Sequence, residues 1–141
     1  MGLWANLSTS LENALVTVPG LVASPLPFDV SHLPETLMGR AFCIDIQSQN
    51  TDAARDRATM LVEHAVTVRV VYTIAPLGGW AKTLRRALDD ELDILDAFMS
   101  QTNFPTYRVK YAGSDRALSD TREHMVVGLS FSFLHAISVT S

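Results

Sequence analysis

The chain has 141 residues, 48% of them hydrophobic and 18% charged, with a formal net charge of −4. That length fits one domain around one core, residues 1–141 throughout, and the acidic balance argues against a reader of nucleic-acid phosphates. A single cysteine, Cys43, rules out an intrachain disulfide and a cysteine-based zinc site.

The N-terminus lacks the basic start of a secretory signal, and no apolar run reaches the 18 or so residues of a membrane helix. Leu3, Leu7, Leu11 and Leu15 recur every four residues, which predicts a short helix within residues 1–17. Residues 18–38 hold several prolines, which remove backbone donors, so this stretch reads as a loop or arm and not as a ladder strand. Its apolar residues (Leu21, Val22, Leu26, Phe28, Val30, Leu33, Leu37) predict an arm packed on something. Residues 39–141 then carry a sheet and a central helix.

Arg40 to Ser48 is the first clear strand, with Phe42, Ile44 and Ile46 on one face. A polar loop follows. Thr59 to Ile74 alternates almost without a break. Met60, Val62, His64, Val66, Val68, Val70, Tyr72 and Ile74 make one face, and small, polar or charged residues the other. Trp80 to Met99 reads as an amphipathic helix with an apolar stripe of Leu84, Leu88, Leu92, Leu95 and Met99, joined by Trp80 and Phe98. Thr106 to Ala112 is a short strand, Gly113 to Arg122 a second polar loop, and Glu123 to Val139 a second long strand. The expected fold is α+β: a four-stranded, mainly antiparallel sheet (β-β-α-β-β) with both helices on one face and a small, polar opposite face.

Strand length poses a question. Sixteen residues at about 3.3 Å each span roughly 50 Å, against a diameter of very roughly 37 Å for a domain of this size. Either a bulge near His64 or Gly128 bends the long strands, or they project and pair with a neighbouring subunit. Ring closure would remove exposed edges.

Chemistry-bearing motifs are sparse. Asp89, Asp93 and Asp96 share one helix face, but a carboxylate metal site needs further oxygen ligands from a second segment, and Arg85 and Arg86 stand one turn away. That side reads as solvated or partner-facing. His64 and His135 fall on apolar strand faces, which predicts buried, hydrogen-bonded histidines. Cys43 lacks a neighbouring base and reads as a packed residue. No nucleophile-elbow, phosphate-loop or dinucleotide fingerprint is present. The expectation is a non-enzymatic protein without cofactor or metal. The alternative from another class is a small-molecule enzyme or ligand-binding α+β domain.

From Arg57 to Ser141 the order of parts resembles the tail terminator proteins of long-tailed bacteriophages. A long strand, "MLVEHAVTVRVVYTI", leads into the helix "GWAKTLRRALDDELDILDAFM"; "YRVKYAG" leads through "SDRALSDTR" into "HMVVGLSFSFLHAI". The N-terminal helix also fits. The resemblance implies a structural virion protein at the head–tail junction, made in the host cytoplasm. It would form a homohexameric ring that stops growth of the tail tube, meets the tube protein and a head-completion or neck protein, and lets DNA pass without specific binding. Another neck protein, a stopper or connector, is the near alternative. Two residue sets are candidates for the channel lining: Thr67, Arg69, Ser130 and Ser132 on the strands, or Asp89, Asp93 and Asp96 on the helix. The polar loops offer Gln49, Asp52 and Arg55, and Asp115, Arg116 and Asp120, for contact with tube or neck partners.

Overall fold

A computed structural model describes residues 3–24, 27–29, 33, 40–50, 59–74, 79–100, 103–104 and 107–138, and within these ranges excludes the side chains of 3–6, 49–50, 59–61 and 136–138. The elements are α1 (Leu3–Val16), β1 (Val22–Ala23), β2 (Ala41–Asn50), β3 (Thr59–Thr73), α2 (Gly79–Phe98), β4 (Arg108–Leu118) and β5 (His124–Ser138). They build an α+β layer: one mixed five-stranded sheet in the order β1-β2-β3-β5-β4, with both helices packed on one face.

Alternation in β3 and β5 does what the sequence predicts. Val66, Val68, Val70 and Tyr72 of β3 belong to the helix-covered core, as do Met125, Val127, Leu129, Phe131 and Phe133 of β5, and Val62 and His64 of the same alternating set are buried. Leu7, Leu11 and Leu15 of α1 are fully buried above them. Aromatic rings close the far end of this core. Phe98 meets Phe131 edge-on at 4.7 Å between centroids, and Phe104 meets Phe133 at 4.9 Å.

Three expectations need correcting. The first concerns the long strands. β3 and β5 pair with each other residue for residue, from Thr59↔Ser138 to Thr73↔His124. They occupy the centre of the sheet, flanked by β2 and β4, so they do not need a neighbouring subunit to complete their hydrogen bonds. No bulge interrupts them at His64 or Gly128; the irregularity lies in β4, between Tyr111 and Gly113. The second concerns the segment after Ala112. It is not a loop: β4 continues to Leu118, and only Ser119 to Glu123 turn the chain into β5. Gly113, at φ 127°, lets the strand shift phase there. The third concerns the proline-rich arm, which does contribute a ladder strand. Val22 and Ala23 pair in parallel with Ala41 and Phe42, held by Val22 N–H to the Arg40 carbonyl (3.2 Å) and Ser24 N–H to the Phe42 carbonyl (2.8 Å).

The arm also packs, as its apolar content predicts. Phe28 lies on the opposite sheet face against Ala41, Cys43, Val71 and Val126, with Leu33 beside it. That face is therefore apolar at one end and polar only along the remainder. Cys43 is buried there, 3.6 Å from the Phe28 carbonyl, and burial pushes its thiol pKa up, as befits a packed residue.

Candidate functional site

The helix α2 is rotated from its expected setting, and this exposes an apolar flank. Its buried residues are Gly79, Ala87, Asp90, Ile94 and Phe98. The leucine stripe flanks that face instead of forming it: Leu84 and Leu95 are half-buried, whereas Leu88 is 42%, Met99 48% and Leu92 63% exposed. Trp80, at the start of the helix, is also exposed. Residues four apart step about 40° round a helix, so the stripe Leu84, Leu88, Leu92 winds away from the face that the sheet caps.

A buried carboxylate sets the rotation. Asp90 is 1% exposed and accepts three hydrogen bonds. Arg40 donates from Nε at 3.0 Å and from Nη2 at 2.5 Å, and the Tyr72 hydroxyl donates at 2.9 Å. Arg40 itself sits at φ 64° and also bonds the Pro19 carbonyl at 2.7 Å. Its guanidinium crosses directly over Gly20, where any Cβ would collide with it. Tyr72 is held protonated, its pKa pushed up by burial and then by the Asp90 charge it faces. This node ties the arm, β3 and α2 together. Sequence patterning missed it because an aspartate between polar neighbours carries no sign of burial.

On the leucine side of the helix, Glu91 accepts from the Tyr111 hydroxyl at 2.6 Å and so ties α2 to β4. β4 is an edge strand: one side pairs with β5, and no described residue pairs with the other. On the helix side it presents half-buried Val109 and Tyr111, with Tyr107 just before the strand, and on the far side Arg108 and Lys110. At the opposite end of the sheet β1 covers β2 only at Ala41 and Phe42. Pro27, Phe28 and Asp29 of the arm lie beside Cys43, Ile44 and Asp45, and β1, the strand that flanks β2 on its outer side, ends in register at Phe42.

The two channel-lining sets lie on opposite surfaces. Thr67 is in register with Ser130, Arg69 with Gly128 and Ala65 with Ser132, so Thr67, Arg69, Ser130 and Ser132 share the sheet face away from the helices. Ser132 donates to Glu63 there at 3.0 Å. Gly128 is hemmed in by Asp115, whose Oδ1 would lie 2.7 Å from an added Cβ. Asp89, Asp93 and Asp96 are exposed on the outer side of α2, so one channel cannot be lined by both sets. Of the partner-loop residues, Asp115 and Arg116 belong to β4 and Asp120 to the following turn, not to one polar loop. Gln49 falls in β2, and Asp52 and Arg55 lie outside the described residues.

His64 and His135 are buried as expected but form a pair. Their rings stack at 5.1 Å with 11° between planes, and Tyr107 meets both edge-on. Ser48 Oγ lies 2.7 Å from His64 Nδ1. Neither ring nitrogen of His135 has a partner among the described residues, contrary to the expected bonded histidine. Burial lowers both pKa values, that of His64 to about 4 with a further contribution from the facing His135. Among the described residues no group of three or more potential ligands could hold a metal, and no described helix is long and apolar enough to cross a membrane.

A cleft of about 450 Å³ lies beside the first turns of α2, lined by Arg40, Tyr72, Lys82, Arg85, Arg86 and Asp89 among others. It is open and mostly cationic. No protein-family model matches this sequence, and no curated protein resembles it in sequence.

Proposed function

We propose that this chain is a structural subunit that joins copies of itself into a ring, and that the ring terminates the tail tube of a long-tailed bacteriophage and links it to the head or neck. The observation that carries the reading is the exposed apolar flank of α2 together with an edge strand, β4, that has no described partner on its outer side and is bonded to the helix through Tyr111 and Glu91. Exposed Leu88, Leu92 and Met99 along one ridge leave apolar surface that a partner would cover. An 11-residue edge strand leaves backbone donors and acceptors that a second strand would satisfy. The order of elements, helix first and then strands around an amphipathic helix, supports the tail-terminator assignment through the resemblance given above. The polar stretch of the sheet's second face, with Thr67, Ser130 and Ser132, suits a wall along which DNA slides without sticking.

Electron microscopy of tails assembled with and without the protein tests the function. Without it, tubes should be overlong and headless. Tubes of normal length in its absence reject the reading.

A further inference from the structure

The ring reading leaves open which surfaces meet. Resting on that reading, we propose that copies join head to tail: β4 of one pairs antiparallel with β2 of the next, and the α2 flank of the first covers Ile44 and Ile46 of its neighbour. Strand direction permits this. β2, β3, β5 and β4 alternate in direction across the sheet. A copy rotated about an axis along the strands therefore sets its β2 antiparallel to β4, and the alternation continues. Such a contact uses two different surfaces, which is what ring closure requires.

Side-chain chemistry selects a register. Placing Lys110 opposite Asp45 sets Arg108 opposite Gln47 on the helix-free face. The same register sets Tyr111 opposite Ile44 and Val109 opposite Ile46 on the helix face, apolar against apolar. It also ends where both strands require it to end. β1 already occupies β2 at Ala41 and Phe42, and β4 breaks phase between Tyr111 and Gly113. The rival is a two-fold contact of β4 with β4. That would bring the cations Arg108 and Lys110 against their own copies, which like-charge repulsion disfavours.

Disulfide coupling tests the register. One protein carries Asp45→Cys and another Lys110→Cys; directly opposed cysteines in an antiparallel pair fall within bonding reach. Under mild oxidation the mixture should couple roughly tenfold faster than either variant alone, a difference equivalent to about 1.4 kcal/mol in contact preference. The double variant should give a ladder ending in a closed ring. Self-coupling of Lys110→Cys as fast as the mixture would overturn the proposal in favour of the two-fold contact. Coupling no faster than a control mixture of Asp96→Cys with Lys110→Cys would overturn it as well. Rings seen by native mass measurement without the 45–110 link would remove this interface and leave the ring standing. The link together with normal tail lengths in the protein's absence would do the reverse.

Discussion

The two apolar flanks of α2 have nearly the same chemistry and opposite fates. Ala87, Ile94 and Phe98 are sealed against the sheet, while Leu88, Leu92 and Met99, a fraction of a turn away, face outward. What separates them is one carboxylate. Asp90 needs Arg40 and Tyr72, and satisfying it turns the helix until the leucines lie outside. Burying an unpaired aspartate would cost more than leaving three apolar side chains half-wet. The helix thus carries one face sealed in the fold and a second apolar face left exposed.

The largest effects should come from the inner flank. Phe98→Ala removes a ring in contact with Phe104, Phe131 and Phe133 and should destabilise the protein by about 3–5 kcal/mol, read from denaturant midpoints. Asp90→Ala strands the Arg40 guanidinium and should also cost about 3–5 kcal/mol. Tyr72→Phe removes one bond to a charged acceptor and should cost about 1.5–3 kcal/mol. On the outer flank Leu92→Gln should change stability by less than about 0.5 kcal/mol while weakening self-association in sedimentation or light scattering. Equal destabilisation by Leu92→Gln and Phe98→Ala would erase the distinction between the flanks.

The stacked histidines give a smaller, pH-dependent effect. Their folded-state pKa values lie below the ordinary histidine value, so the unfolded chain binds protons first as pH falls. The stability they support is whole above about pH 6.5 and is lost as pH drops toward about 4, the folded value of His64. His135→Phe removes two nitrogens that lack described partners; it should flatten that part of the melting-temperature profile and leave neutral-pH stability nearly unchanged.

Much of this architecture was legible in the residues, because period-two alternation in β3 and β5 and the leucine spacing of α1 report burial directly. Three features were missed or misread. The rotation of α2 depends on a partner 50 residues away, Arg40, which no local pattern reveals. The extension of β4 was hidden by its bulge, although an isolated glycine after an alternating run, Gly113, is the signal that could have shown it. The length of β3 and β5 was legible, but its meaning was misread: they are partners of each other, and the outer strands of the sheet are shorter ones. Of the candidate lining residues, Thr67 and Ser130 were correctly placed on one face, since register follows from alternation.

The most direct test compares tail lengths assembled with wild-type protein, with Leu92→Glu protein and with none. The account predicts that Leu92→Glu melts like the wild type yet leaves tubes as overlong as those made without the protein. Normal tube lengths with a folded Leu92→Glu variant would contradict it.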